Sequence, residues 1–133
     1  KNLALEGSVF SHSLGGSSDQ IIRGGVQYYF GSSDTLSWVS SLKKVNYKSI
    51  KNFNLNNITL EISKWIKYRH NFFRFGLGSN FYTKDNFLYK QRGQINFILL
   101  NTIIPLKIFQ LGFETRMNLN MFFYSFSFQK DFY

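Results

Sequence analysis

The chain has 133 residues, of which 20% are aromatic and none is cysteine, and its formal net charge is +9. The lack of cysteine excludes a disulfide framework, a thiolate metal site and a cysteine nucleophile. The length predicts a single domain over residues 1–133, and the charge predicts an anionic partner such as a phosphate-bearing lipid or an acidic polysaccharide. Because the chain begins at Lys1 rather than at Met, we expect a processed product or the C-terminal part of a longer chain.

The first half of the chain predicts four strands, because apolar and polar residues alternate along it. A side-chain period of two is that of a β-strand with one apolar and one polar face. The polar segment Lys44–Asn57 is predicted to be a long loop, since it is rich in lysine and asparagine. The four predicted strands are Leu3–Ser13, Ile21–Phe30, Thr35–Lys43 and Ile58–Arg69.

The second half of the chain predicts four more strands. Two of them cover Phe72–Thr83 and Tyr89–Asn101, and Pro105 ends the second because proline cannot donate to a strand ladder. Residues 109–133 alternate again and contain two strands, with a bend near residues 118–123. In the strand Tyr89–Asn101, the expected apolar face is Ile95, Phe97 and Leu99, and the expected polar face is Arg92, Gln94 and Asn96.

The strand lengths decide which all-β fold we expect. Eight strands of about 9–13 residues match the 9–11 residues of a tilted membrane-crossing strand, whereas strands in soluble proteins usually have about five or six. The sequence therefore predicts an all-β fold, an antiparallel transmembrane β-barrel of about eight strands, closed and with connections of alternating length.

The end of the chain resembles Gram-negative outer-membrane β-barrel proteins, whose last strand alternates aromatic residues and ends in an aromatic residue. This resemblance implies a location in the outer membrane, contact with its lipid or lipopolysaccharide, and insertion by the barrel-assembly machinery. A second resemblance, to YaiO-type outer-membrane barrels, covers Asn57–Phe97, with Lys64-Trp65-Ile66-Lys67-Tyr68 followed by Phe81-Tyr82. The residues predicted to form the assembly signal are Phe126, Phe128, Phe132 and Tyr133.

Charged residues recur on the polar face of the predicted strands. The interior of an eight-stranded barrel is only just wide enough for side chains, and buried charges must be paired. We therefore expect an interior charge network that closes the lumen, with a polar conduit or a small-ligand site as the alternative. The predicted network is Glu6, Arg23, Glu61, Lys67, Arg74, Arg92, Glu114 and Arg116.

Two further sites are candidates. His12 lies between two serines, and a histidine beside a serine is typical of outer-membrane lipid-modifying hydrolases, although neighbouring side chains on a strand point to opposite faces. His12 is thus a weak catalytic candidate, and a rim histidine is the default interpretation. A basic loop is predicted to bind an anionic surface such as lipopolysaccharide phosphate, with a solvated loop as the alternative. Its lysines are Lys43, Lys44, Lys48 and Lys51.

These patterns lead to one functional expectation and two alternatives. We expect an outer-membrane β-barrel with a structural or interaction role, as an accessory subunit of an envelope complex with a protein partner, and not an enzyme. The alternatives are a lipid-modifying hydrolase and a soluble β-barrel that binds an apolar ligand. The spread of lysine and arginine argues against nucleic-acid binding, and no metal-ligand spacing or cofactor motif is present.

Overall fold

The fold is all-β. The computed structural model describes residues 2–14, 17–32, 35–49, 53–86, 88–107 and 109–129. These contain eight strands, in agreement with the expected number, and they form one antiparallel sheet in chain order. The strands are β1 (Leu3–Leu14), β2 (Ser17–Ser32), β3 (Thr35–Ser49), β4 (Phe53–Tyr68), β5 (Asn71–Asn86), β6 (Tyr89–Pro105), β7 (Gln110–Met117) and β8 (Phe122–Gln129).

The predicted long loop Lys44–Asn57 is wrong. Most of this segment lies in β3 and β4, which pair as far as Ser49 and Phe53. Polar composition is misleading here because a strand needs only backbone partners, and polar side chains are tolerated wherever a face meets water. The other gaps between consecutive strands are also short, so the connections do not alternate in length as expected.

The sheet curls into a half-barrel. Within the described residues β1 pairs only with β2, and β8 pairs only with β7, so the closed eight-stranded barrel that we expected is not formed. Strand number alone does not decide closure, because closure also depends on strand tilt and stagger. In the same described residues no helix is long and apolar enough to cross a membrane.

The two faces of the sheet differ in burial. Paired residues on neighbouring strands share a face, and successive residues of a strand lie on opposite faces. In β4, Glu61 and Ser63 are buried, whereas Leu60 and Ile62 are 49% and 45% exposed. We call the face of Glu61 the inner face and the opposite face the outer face, and the strand register extends both across the sheet.

The outer face carries an apolar belt in the middle of the sheet. On β2, β4 and β5 the belt covers residues 22–30, 58–66 and 73–81, with Lys64 and Ser79 as polar exceptions. The belt consists of Leu3, Leu5, Val9, Ile22, Val26, Tyr28, Phe30, Trp38, Leu42, Ile58, Leu60, Ile62, Ile66, Phe73, Phe75, Leu77, Phe81, Ile98, Leu100, Ile104, Leu111, Phe113, Met117, Phe122, Tyr124, Phe126 and Phe128.

Beyond the belt, the outer face is polar where the β3–β4 and β5–β6 hairpins extend past it. We call this part the polar collar. It lies at the edge of the sheet opposite the start of β1 and the end of β8. Its residues are Lys44, Asn46, Lys48, Asn54, Asn56, Thr83, Asp85, Lys90, Arg92 and Gln94.

The face assignment predicted for β6 is wrong. Phe97 and Leu99 are buried on the inner face, and Arg92 lies on the outer face, in register with Thr83. The outer series of β6 is polar in the collar and, apart from Thr102, apolar from Ile98 onward, so neither series of this strand is uniformly polar. A pattern that assumes one apolar face over a whole strand fails when the strand crosses two environments.

Candidate functional site

Four charged side chains meet on the inner face, and we call them the charge quartet: Glu61, Arg74, Glu114 and Arg116. Arg74 Nη2 donates to Glu114 Oε2 at 2.9 Å, and Arg116 Nε donates to Glu114 Oε1 at 2.8 Å. Glu61 lies 3.7 Å from Arg74 Nη1 and 3.3 Å from Arg116 Nη2. Each carboxylate therefore contacts both guanidinium groups, and the quartet is electrically neutral.

Packing around the quartet holds the charged groups in place. The side chain of Glu61 is only 1% exposed and that of Arg74 is 10% exposed. The guanidinium carbon of Arg74 lies 5.3 Å from the ring centroid of Trp65, and that of Arg116 lies 5.1 Å from Phe97. Stacking of this kind is favourable for guanidinium groups because they are planar and weakly hydrated.

A glycine makes room for one of these rings. Gly78 pairs with Glu61 on one side and with Phe97 on the other. A Cβ atom at Gly78 would collide with the Phe97 ring and would lie 2.9 Å from the Leu60 carbonyl oxygen. The absence of a side chain at Gly78 therefore lets Phe97 lie across the sheet beneath Arg116.

The geometry of the quartet is that of a structural link between strands rather than of a reactive site. Its members lie on β4, β5 and β7, and Asn101 of β6 also donates to Glu114 Oε2 at 3.0 Å. The quartet thus links four consecutive strands through side chains. Glu61 Oε2 and Arg74 Nε are buried without a hydrogen-bond partner, so the 3.3 Å contact of Glu61 with Arg116 is an ion pair without hydrogen-bond geometry.

A second charged group lies on the inner face of β1, β2 and β3. Glu6 and Lys43 are both in register with Gly25, and Lys43 Nζ lies 3.4 Å from Glu6 Oε1 across that glycine. Arg23, in register with Ser8, has its guanidinium carbon 5.8 Å from the Phe10 ring. No carboxylate of the described residues lies within 4.0 Å of Arg23.

Two adjoining cavities occupy the inner face between this group and the quartet. The first, of about 460 Å³, is lined by Glu6, Arg23, Lys43 and Thr59 among others. The second, of about 510 Å³, lies toward Tyr82, Phe97 and Phe123. Both cavities are lined by Val45, Asn57, Asn80 and Arg116.

The structure divides the predicted interior network into two clusters and two residues that belong to neither. Four of the eight residues form the quartet, and Glu6 and Arg23 form the second group with Lys43. Lys67 lies near the end of β4, exposed, with Nζ 5.7 Å from the Phe72 ring and far along the strand from Glu61. Arg92 lies on the outer face and is not part of the network, because its strand presents the other series inward.

The predicted basic loop is instead part of a strand. Lys43 faces inward, whereas Lys44 and Lys48 lie on the outer face of β3 in the polar collar. Lys51 lies outside the described residues. The three described lysines therefore do not form one surface, because strand alternation separates Lys43 from Lys44.

The remaining predicted residues are only partly described. His12 is in β1 with its backbone in register with Asp19, and its side chain lies outside the described part of the structure. Phe126 and Phe128 are on the outer face of β8, exposed, in register with Phe113 and Leu111. Phe132 and Tyr133 lie outside the described residues.

Sequence reasoning missed three contributors to these sites. The sequence alone does not connect Trp65 and Phe97 with the arginines that they contact, and it predicts Lys43 as part of a basic surface rather than as the partner of Glu6. The signal that would find them is the register between neighbouring strands. It places Trp65 opposite Arg74, and it places Phe97 two residues from Leu99, the partner of Arg116. It also places Lys43 and Glu6 on either side of Gly25. The register depends on the lengths of the turns, and these could not be predicted where polar strand residues resembled a loop.

Comparison with known proteins adds no relative: no protein-family model, curated protein or solved structure matches the chain. Among the described residues no group of three or more His, Cys, Asp or Glu could hold a metal ion. The two faces of the sheet are therefore the features that indicate a function.

Proposed function

We propose that the chain is a membrane-spanning sheet of a Gram-negative outer-membrane β-barrel, with a structural or interaction role in the cell envelope. The apolar belt carries this proposal. In the described part of the chain only Val39, Phe97 and Leu99 are buried hydrophobics, whereas more than two dozen large hydrophobic side chains are exposed. A soluble monomer rarely exposes an apolar patch larger than a few hundred Å², so lipid is the natural solvent for this face.

The height of the belt supports the same proposal. Nine residues at about 3.3 Å per residue cover roughly 30 Å along a strand. At the tilt usual for transmembrane barrels, about 40°, this corresponds to a band roughly 23 Å tall, close to the 25 Å of outer-membrane barrels. The strands of 15–17 residues are longer than the membrane requires because their remaining residues form the collar.

The inner face fits the wall of a water-filled lumen. Most of its charges are paired in the quartet or lie beside open cavities, as expected where water reaches one side of a sheet. Open strand edges are not stable in lipid. In the membrane β1 and β8 must therefore pair, either with each other, which closes the barrel, or with further strands, and the second arrangement gives the chain a role in association.

Two outer-face features suggest partners. Lys44 and Lys48 on the collar are positioned to contact lipid A phosphate groups, at about 1 kcal/mol for each lysine near an anionic surface. The outer aromatic series of β8, which includes Phe126 and Phe128, is the segment that the barrel-assembly machinery would bind during insertion.

The proposal is tested by refolding the full chain in vesicles and locating its two tryptophans. Trp38 belongs to the belt and is 38% exposed, whereas Trp65 lies on the inner face against Arg74. The variants Trp65→Phe and Trp38→Phe each keep one tryptophan. In vesicles of lipid with brominated acyl chains we expect strong quenching of Trp38 emission and much weaker quenching of Trp65 emission.

A gel of boiled and unboiled samples provides the control for folding. We expect a β-type circular dichroism spectrum only with detergent or lipid, together with a mobility shift on boiling. A folded monomer that needs no detergent would overturn the proposal and would favour a soluble sheet whose belt binds an apolar ligand. Equal quenching of both tryptophans in folded protein would also contradict it.

A further inference from the structure

We propose that the inner face binds a short acidic sugar in the two adjoining cavities between β1 and β8. This inference rests on the proposed function, which makes the inner face the water-exposed side of the sheet. The two cavities, of about 460 and 510 Å³, share four lining residues and so form one groove. Their sizes fall in the range of small-molecule sites.

The charged side chains that line the groove favour an anionic ligand. Arg116 is neutralised within the quartet, and Lys43 is paired with Glu6 at 3.4 Å. Arg23, which also lines the first cavity, has no carboxylate within 4.0 Å among the described residues. Lys84, which lines the second cavity, also has no carboxylate within 4.0 Å among the described residues, so the groove has a surplus of positive charge at Arg23 and Lys84. A guanidinium group binds a carboxylate through two parallel hydrogen bonds.

Polar groups in the shared part of the groove favour a ligand that also carries hydroxyl groups. Thr59 Oγ1 donates to Asn80 Oδ1 at 2.6 Å, and Asn57 Nδ2 donates to Thr59 Oγ1 at 3.3 Å. Asn57 Oδ1 is buried and has no hydrogen-bond partner. A buried acceptor without a donor is costly, and a sugar hydroxyl can supply that donor.

An aromatic side chain on the far side of the groove fits the apolar face of a sugar ring. Phe123 lies on the inner face of β8 in register with Arg116, yet it is 60% exposed. Most other exposed aromatic residues of β7 and β8 belong to the outer belt, so the belt does not account for Phe123. In this arrangement Arg23 binds the carboxylate of the sugar, Asn57 binds a hydroxyl group, and Phe123 packs against the apolar face of the ring.

Calorimetric titration of the refolded full chain with digalacturonate tests this site, with cellobiose as the neutral disaccharide. We expect digalacturonate to bind at least about tenfold more tightly than cellobiose. Arg23→Gln should weaken the binding about tenfold. Lys107→Gln removes the same charge from an exposed residue in the β6–β7 turn and should change it by less than about twofold. Phe123→Ser, on another strand, should weaken it about fivefold.

Each variant is first checked for heat-modifiable mobility, so that loss of binding is not confused with loss of folding. Absence of binding to folded wild-type protein would overturn the site while leaving the membrane proposal intact. Equal weakening of the binding by Arg23→Gln and Lys107→Gln would mean that the net charge of the protein, rather than the groove, attracts the ligand. This result would also overturn the proposed site. If the chain folds without detergent, the membrane proposal fails, and the same titration on the soluble protein still decides whether the groove binds the sugar.

Discussion

The exchange Glu61→Gln tests whether the charge quartet stabilises the sheet. The side chain of Glu61 is 1% exposed and lies 3.3 Å from Arg116 and 3.7 Å from Arg74. Glutamine keeps the shape but removes the charge, so the two arginines are left with Glu114 alone and the quartet becomes positive. Breaking a buried ion pair costs about 3–5 kcal/mol, and the 25% exposure of the Arg116 side chain lowers this. We expect the free energy of unfolding to fall by about 2–3 kcal/mol.

The assay is urea unfolding in lipid vesicles, followed by tryptophan emission. Trp65 stacks on Arg74 and so reports on the quartet directly. A loss of this size lowers the urea midpoint by about 1–2 M if the slope is unchanged. The matched control is Glu6→Gln, because Glu6 is 46% exposed in its pair with Lys43 and should contribute less than about 1 kcal/mol.

A double-mutant cycle of Glu61→Gln with Arg116→Gln separates the pair from its surroundings. A coupling energy near zero would refute the argument that the charges stabilise each other. Equal loss in Glu61→Gln and Glu6→Gln would refute the argument that burial makes the quartet important.

Two other exchanges test the inner and outer faces. Gly78→Val should lower the free energy of unfolding by about 1–3 kcal/mol, because its side chain would displace the Phe97 ring; Gly24→Val, where a Cβ meets nothing within 4 Å, should change the same urea midpoint little. Leu77→Arg in the belt, where Leu77 is 62% exposed, should destabilise the vesicle-inserted sheet by about 2–4 kcal/mol, whereas Leu88→Arg in the β5–β6 turn should be neutral. Equal midpoints for Leu77→Arg and Leu88→Arg would contradict lipid contact at the belt.

The alternation of side chains was enough to predict the number and type of the strands. Period two is a local property of an extended chain, and it persists whether a face meets lipid, water or other side chains. For the same reason Glu61, Arg74, Glu114 and Arg116 could be assigned to one face before any contact was known. Alternation could not assign Arg92, because β6 passes from the collar to the belt and its outer series changes from polar to mostly apolar along the strand.

The sequence by itself therefore determined an all-β chain of eight strands, with the four charges of the quartet on one face. The tertiary structure alone decided that the sheet is an open half-barrel, that Lys44 and Lys48 lie on a strand, and which four charges meet. The physical reason is that closure and ion pairing depend on register and curvature, which arise from all strands together. Side-chain order along one strand carries no information about the residue opposite it on the next.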